Sequence, residues 1–394
     1  MAARGLLGIK MAKLKTLTVG EVIHSLEALA PSGTSEKWDN TGLLLGDPGW
    51  GTKGAIISVD LTEASIEAAT RKEYRLIVNH HPCIFPKSKG LSKIVPGPKS
   101  GMSNLVFEAL KRGIAVASYH TNFDQCALEV PQVISQKLGL VAQGRLMDGG
   151  EGSLLKLVVF VPTKHLDTVR GALAGAGAGH IGNYDSCMFH TQGEGTFRGL
   201  EGSLPAMGKM GVIERVEESR LETIFPRGLK KQILEALRAS HPYEEVAFDL
   251  YPVEQGPAQK GLIRGLGYGF WGEFSKPLSF AEFTKRVKAV FGVEGLIHTP
   301  PSLGSVRSVR RMGFVAGKGA SFVDAAIAAR CDVFVTGEAG YHVALDGSRK
   351  GLSVIELGHR ESEIFYLSTM TSWLKRMGIQ TQTLNLRTQH LDSG

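Results

Sequence analysis

The chain has 394 residues, of which 43% are hydrophobic and 21% are charged. These values argue against a disordered chain and allow two or three globular domains. The net charge is +7 and the isoelectric point is about 9.1, but the basic residues are dispersed. The composition therefore gives little support to a nucleic-acid partner, and it fits a small anionic substrate at least as well.

The N-terminal region and the cysteines bear on location. No apolar run approaches the roughly 20 residues of a membrane span, and the start lacks the apolar core of a signal peptide. Residues 1–14 are basic without acidic residues, which leaves an organellar transit peptide as an alternative; Met11 resembles a natural start. The cysteines form no C-x-x-C pair, so we predict reduced thiols in a cytoplasmic protein. There are four of them: Cys83, Cys126, Cys187 and Cys331.

The first half of the chain predicts an α/β domain. A helix is expected over 17–29, and the stretch from Trp38 to Gly42 is interpreted as an Asn-capped turn with a packed tryptophan. Strands and helices then alternate, which predicts a parallel sheet flanked by helices. The expected strands are 55–59, 75–78 and 114–118, and the expected helices are 63–71 and 102–111.

The middle of the chain has a different pattern. Residues 154–253 show the order β-α-β-β-α-β, which is typical of a ferredoxin-like module. The glycines of 177–182 formally match G-x-G-x-x-G, but they follow a helix, so we reject a dinucleotide site. Four polar residues are open to two interpretations, a second polar or metal site, or turn and core positions: His180, Asp185, Cys187 and His241.

After about residue 261 the α/β alternation resumes, with a helix expected over 280–291 among its elements, so two related halves of one domain flank an insert. The predicted domains are 11–150, 151–256 and 257–394. The segment around Lys318 lies between a strand and a helix, where backbone amides can bind an anion. A plain tight turn is the alternative for this segment.

Chemically active side chains follow several predicted strands. His80 and His81 come directly after the second strand, and Pro82 ends regular pairing there. Adjacent strand residues point to opposite faces, so the backbone must turn for both rings to converge. Because ligands gather at the carboxyl ends of parallel strands, Asp60 and the segment from His120 to Asp124 are expected beside this pair.

A second such stretch begins at His359, after a predicted strand, and Glu363 follows four residues later. Three imidazoles and two carboxylates exceed the needs of a closed tetrahedral ion, so the set predicts two divalent ions: Zn, Mn, Fe or Mg. Such a pair, about 3.5–4 Å apart, supports metal-assisted hydrolysis. The proposed ligands are His80, His81, Asp124, His359 and Glu363. His120 and His342 are candidates for orienting ligands or carrying protons, and Lys318 is a candidate for substrate binding.

Several motifs together resemble those of the GTP cyclohydrolase I type 2 homologue family, also called Nif-three-like. They are Trp38-Asp39-Asn40-Thr41-Gly42, His80-His81-Pro82, His120-Thr121-Asn122-Phe123-Asp124, Thr336-Gly337-Glu338 with Tyr341-His342, and Gly358-His359 with Ser362-Glu363. The match spans both halves in the right order. The family's two-metal ligand set falls on the same five residues.

The resemblance implies a toroidal homohexamer with its metal sites facing the interior, and a CutA/PII-like insert. It also shows departures. Glu338 and Glu356 stand where the family more often has aspartate, and the loop over 87–100 is longer. The family name suggests a metal-dependent hydrolase acting on a nucleotide or phosphorylated small molecule, with GTP ring opening as one reaction. The alternative is a non-catalytic metal-binding ring, serving as a scaffold or in metal trafficking.

Overall fold

The computed structural model describes residues 16–85, 94–97, 101–148, 154–181, 184–200, 202, 209–253, 266–302 and 307–385. The expected long loop over 87–100 lies largely outside these residues. Within the described ranges, no helix combines the length and apolarity that crossing a membrane requires.

The strands, in chain order, are β1 (Leu17–Thr18), β2 (Gly42–Leu45), β3 (Gly51–Thr52), β4 (Gly54–Ser58), β5 (Leu76–Asn79), β6 (Ala115–Ser118), β7 (Val141–Gly144), β8 (Met147–Asp148), β9 (Leu154–Pro162), β10 (Met188–Arg198), β11 (Ile213–Pro226), β12 (Phe248–Val253), β13 (Gly267–Tyr268), β14 (Phe270–Ser279), β15 (Ile297–Thr299), β16 (Ser308–Lys318), β17 (Val333–Glu338), β18 (Ser353–Glu356) and β19 (Gln380–Thr383).

The helices are α1 (Val19–Leu29), α2 (Glu63–Lys72), α3 (Met102–Lys111), α4 (Thr121–Cys126), α5 (Glu129–Leu138), α6 (Leu166–Gly175), α7 (Lys230–Ser240), α8 (Phe280–Phe291), α9 (Val323–Ala328), α10 (Tyr341–Arg349), α11 (His359–Ser362) and α12 (Ile364–Arg376). The chain divides into two compact units. Unit 1 comprises Met1–Leu26, Asn40–Tyr119 and Met370–Gly394, and unit 2 comprises Glu27–Asp39 and His120–Thr369.

Unit 1 contains a five-stranded sheet in the order β19-β4-β5-β6-β2. The first four strands run parallel and β2 pairs antiparallel at the edge. Every residue of β4, β5 and β6 is buried, as expected for strands covered on both faces. A core around Ile56, Ile77 and Val116 lies under α2 and α3. The parallel order brings the carboxyl ends of β4, β5 and β6 to one edge.

Unit 2 contains a six-stranded sheet in the order β15-β18-β17-β16-β14-β7. The parallel pairing that the α/β alternation predicts holds for β16, β17 and β18. The outer strands β15, β14 and β7 pair antiparallel, so the sheet is mixed. Helix α8 matches its predicted bounds because Ser279 caps its start, accepting from the Glu282 amide, and Gly292 ends it in the left-handed region.

Residues 154–253 form a separate four-stranded antiparallel sheet in the order β10-β11-β9-β12. With α6 after β9 and α7 after β11, the chain follows the predicted β-α-β-β-α-β order, and the strand order is that of a ferredoxin-like module. Its own core is built around Leu157, Val169, Leu221 and Ile233. The bounds of the three predicted domains, 11–150, 151–256 and 257–394, stay a prediction.

Candidate metal centre

The His80–His81 pair lies in unit 1, directly after β5. The backbone turns at this point, because the amides of both histidines donate to the carbonyl oxygen of Val59, at 3.1 and 2.9 Å. The two rings lie 5.2 Å apart between centroids and are tilted by 42°. Ligand nitrogens of the pair fall within 4.8 Å of each other. The turn thus brings two adjacent imidazoles to one side of the chain.

Both rings of this pair are oriented through Nδ1. His80 Nδ1 donates to the carbonyl oxygen of Tyr119 at 2.9 Å, and His81 Nδ1 donates to Oδ1 of Asp60 at 2.8 Å. His80 is only 1% exposed. A metal-binding histidine commonly donates its second ring N–H to a carbonyl or a carboxylate, which fixes the tautomer. In both residues Nε2 therefore carries the lone pair that a metal requires.

His359 and Glu363 are brought together in unit 2. After β18, Gly358 turns the chain at φ +99°, and the short helix α11 begins at His359. Nε2 of His359 lies 3.2 Å from Oε1 of Glu363, and Glu363 is buried. A buried carboxylate next to an imidazole is a combination that suits divalent ions such as Zn, Mn and Fe.

Small residues hold α11 against the sheet. Ser362 Oγ donates to the carbonyl of His359 at 2.6 Å and accepts from the amide of Gly317 at 2.8 Å. A Cβ atom at Gly317 would lie 2.7 Å from Oε1 of Glu363, and one at Gly337 would lie 2.9 Å from Cα of His359. Glycine at both positions allows this close approach.

Two glutamates shape the neighbouring turn. Oε2 of Glu338 lies 3.5 Å from Nδ1 of His359. Oε1 of Glu356 accepts from the amides of Ala339 and Gly340, at 2.6 and 3.1 Å. Glu338 therefore faces His359, and Glu356 holds the turn after β17.

Asp124 and His120 lie at the start of unit 2's longer segment. Asp124 is half-buried on α4, and its amide donates to the carbonyl of His120 at 3.0 Å. Burial, followed by the negative charge of Asp124, raises the pKa of Tyr366 well above its ordinary value. The Tyr366 hydroxyl therefore stays protonated, and Asp124 brings a negative charge into a poorly solvated part of the unit.

His342 and Lys318 are placed differently. His342 is exposed on the first turn of α10, in edge contact with the ring of Tyr341. Lys318 is the exposed last residue of β16. The amide of Gly319, beside it, donates to the carbonyl of Glu338 at 2.8 Å. The amide of Gly317 donates to Oγ of Ser362. These two amides have internal acceptors, so neither is available to an anion at this turn.

Within the insert, the structure favours the turn and core interpretation. The His241 ring is buried, with Nε2 donating to the carbonyl of Phe160 at 3.0 Å and Nδ1 accepting from the amide of Tyr243 at 3.2 Å. His180 contacts the carbonyl of Gly177, and the Cys187 thiol contacts the carbonyl of Asp185.

The Trp38–Asn40 turn differs from its interpretation as a cap with a packed tryptophan. Trp38 is 58% exposed. Asp39 accepts hydrogen bonds from His120 and Thr121, while the Asn40 side chain donates to the carbonyl of Ile84. Asp60 and Asp39 are the orienting carboxylates that the residue pattern left unassigned. The sequence offered one signal for each: Asp60 follows a predicted strand, and Asp39 is adjacent to Trp38.

Known proteins and a family model match nearly the whole chain. A family model described as Duf34/NIF3 (NGG1p interacting factor 3) matches residues 17–391. A Bacillus subtilis (strain 168) protein named GTP cyclohydrolase 1 type 2 homolog is 36% identical over 350 residues, covering 89% of this chain and 90% of that protein. A protein of the same name from Halalkalibacterium halodurans is 37% identical, covering 87% and 88%. The crystal structure of a Bacillus cereus protein related to NIF3 superposes with a TM-score of 0.74 at 31% identity, covering 95% and 98%.

Proposed function

The chain belongs to the DUF34/NIF3 family, as its motifs predict, and on that premise we propose that it is a metal-dependent hydrolase of nucleotides or other phosphorylated small molecules. The proposed centre holds two divalent ions, from among Zn, Mn, Fe and Mg. Its ligands are His80, His81, Asp124, His359 and Glu363. The name of the similar proteins from Bacillus subtilis and Halalkalibacterium halodurans suggests GTP ring opening as one candidate reaction.

The strongest support for a metal centre is the way in which its histidine rings are oriented. Nδ1 of His80 donates to a backbone carbonyl and Nδ1 of His81 donates to Asp60. Nδ1 of His359 faces Glu338 while its Nε2 faces buried Glu363. The acceptors at Nδ1 of His80 and His81 leave Nε2 of each ring as the unprotonated nitrogen, as a metal ligand requires. These two hydrogen bonds, together with the close pair of His359 and buried Glu363, support a metal-binding role over a purely structural one.

Bound metal ions would supply an activated water and polarise a substrate oxygen. The chain's own residues have separate tasks. The ammonium of Lys318 would attract a phosphate, and His120 or His342 would carry protons. Dispersed positive charge, with a net value of +7, favours an anionic substrate over a neutral one.

The test is metal analysis of purified wild-type protein, His80→Ala and Glu363→Ala, followed by a hydrolysis screen over nucleotides and phosphoesters. His180→Ala is the matched control, because that histidine is exposed in the insert and is not a proposed ligand. We expect about two ions per chain in the wild type and in the control, and loss of metal and turnover in both ligand variants.

Two results would contradict this proposal in different ways. Unchanged metal content in both ligand variants would remove the metal centre. Tight metal retention without turnover on any compound would remove the hydrolase and favour the alternative, a metal-binding scaffold or trafficking protein.

We also propose that the chain assembles into a toroidal homohexamer in the cytoplasm, and that the insert is a CutA/PII-like module. The family resemblance supports the ring, and the strand order of the insert agrees with such a module. All four cysteines are free thiols, which fits a reducing compartment. Sedimentation of the full chain tests the ring: a species of six 42.4 kDa chains is expected, and a monomer would contradict it.

A further inference from the structure

A buried carboxylate lies beneath His120. Oδ1 of Asp39 accepts from Nδ1 of His120 at 2.9 Å. Oδ2 of the same carboxylate accepts from the Thr121 amide at 3.1 Å and from the Thr121 hydroxyl. Both oxygens of Asp39 are thereby engaged by residues at the start of α4. The arrangement couples the Trp38–Asn40 turn directly to the imidazole of His120.

Burial makes this contact specific. The Asp39 side chain is 0% exposed and that of His120 is 16% exposed. A buried carboxylate is tolerated only when its oxygens accept hydrogen bonds, so removing one donor is expensive. The ring of Trp38, although largely exposed, lies edge-on to His120, with centroids 5.9 Å apart and planes at 76°. Asp39 and Trp38 together restrict rotation of the imidazole.

We propose that Asp39 is a positioning residue that holds His120 with its proton on Nδ1, so that Nε2 serves as the proton acceptor of the reaction. This inference rests on the proposed hydrolase function. A carboxylate that orients a histidine base also stabilises the imidazolium formed when the base takes up a proton.

The step balances within hydrolysis. An O–H bond of the attacking water breaks, its proton binds Nε2 of His120, and the water oxygen bonds to the substrate. The bond to the leaving group breaks, with its electron pair remaining on that group. The same proton then passes from Nε2 to the leaving group, which restores neutral imidazole. No oxidant or reductant is required.

The first experiment observes the tautomer without any substrate. Protein with 15N-labelled histidine is examined by solid-state NMR, and the His120 signals are assigned by their absence from His120→Gln. We expect protonated Nδ1 and unprotonated Nε2 in the wild type, and a shifted tautomer population in Asp39→Asn. Thr121→Val is the matched control, because it removes a donor to the same carboxylate but not the bond to His120. An unchanged tautomer in Asp39→Asn would overturn the proposal.

The second experiment uses whichever compound the hydrolysis screen identifies. Asp39→Asn should lower kcat by about 10²–10⁴-fold, the usual contribution of a positioned base, with KM and metal content little changed. Adding Asp39→Asn to His120→Gln should cause little further loss. Unchanged kcat in a folded Asp39→Asn variant, or loss of metal from it, would overturn the role assigned to Asp39. Failure of the hydrolase proposal is seen separately, as absence of turnover in the wild type.

Discussion

Nε2 of His359 lies 3.2 Å from Oε1 of Glu363, across the single short helix α11. The spacing depends on the strand beneath, because Gly317 approaches the glutamate where any Cβ would intrude. A glycine on a neighbouring strand thus determines where a buried carboxylate meets an imidazole. This dependence can be tested without touching either side chain.

Gly317→Ala should weaken metal binding. Gly317 has φ +65° and Gly292 has φ +68°, so alanine at either position carries a similar left-handed penalty of about 1–2 kcal/mol. Only at Gly317 would the added Cβ collide with Glu363; at Gly292 nothing lies within 4 Å. Gly292→Ala is therefore the matched control. Denaturant unfolding compares the stability of the two variants, and metal titration compares their metal affinity. Equal metal affinity in the two would show that the close approach at Gly317 is unimportant.

Asp60→Asn should reduce metal affinity by about 10–100-fold, the usual effect of losing an orienting carboxylate. The reason is that Asp60 accepts the Nδ1 proton of His81 at 2.8 Å and thereby holds Nε2 as the ligand atom. Calorimetric titration with Zn²⁺ measures the change. Asp47→Asn, an exposed turn residue in the same unit, should leave the affinity unchanged, and a similar loss there would contradict a specific role for Asp60.

His241 should make the insert less stable in acid. Desolvation, opposed by the hydrogen bond to Phe160, lowers the pKa of His241 below its ordinary value of 6.5. The unfolded chain therefore binds a proton at His241 more readily than the folded chain does. The contribution of neutral His241 to folding stability is fully present above pH 6.5 and is lost as pH falls toward the depressed folded pKa. Amide exchange of β9 in wild type and His241→Gln, between about pH 7.5 and 5, measures it. Parallel pH profiles in the two proteins would contradict this assignment.

Thiol reactivity should follow burial. Burial raises the pKa of Cys83 and of Cys331 to about 12, and that of Cys126 to about 11. Because the thiolate is the reactive form, iodoacetamide at about pH 8 should label these three slowly in the native protein. Cys187, which is only partly covered, should react first. Mass spectrometry of peptides gives the order, with denatured protein as the reference; rapid labelling of Cys83 would contradict its burial.

Strong amphipathic helices were predictable. The bounds of α3 and α8 were predicted to the residue, since in α8 Ser279 caps the start, Gly292 ends the helix and Phe283 and Val287 repeat at helical spacing. Strand β19 was not predicted, because Gln380–Thr383 contains no apolar residue and so shows no alternation of apolar and polar positions. It pairs with β4, which is more than 300 residues earlier in the chain. Helix α10 was not predicted either, because Gly347 lowers its helix propensity. Its formation depends on tertiary packing, which the sequence pattern does not show.

The candidate site shows a similar limit. His80, His81, His359 and Glu363 stood out because strand ends and short spacings are visible in a sequence. Asp60 was expected beside the histidine pair because it follows the first strand, but its hydrogen bond to His81, 21 residues later, was not predicted. The bond between His120 and Asp39, 81 residues apart, was not predicted either. Sequence spacing does not indicate such bonds, because they form only when the chain folds.

The central claim is that histidines on separate segments serve one metal centre, and a double-mutant cycle tests it most directly. Metal dissociation constants are measured by chelator competition for wild type, His81→Ala, His359→Ala and the double variant. We predict strongly non-additive free-energy changes, with the double variant little worse than the weaker-binding single variant. Additivity within about 0.3–0.5 kcal/mol, the behaviour of independent sites, would contradict a shared centre.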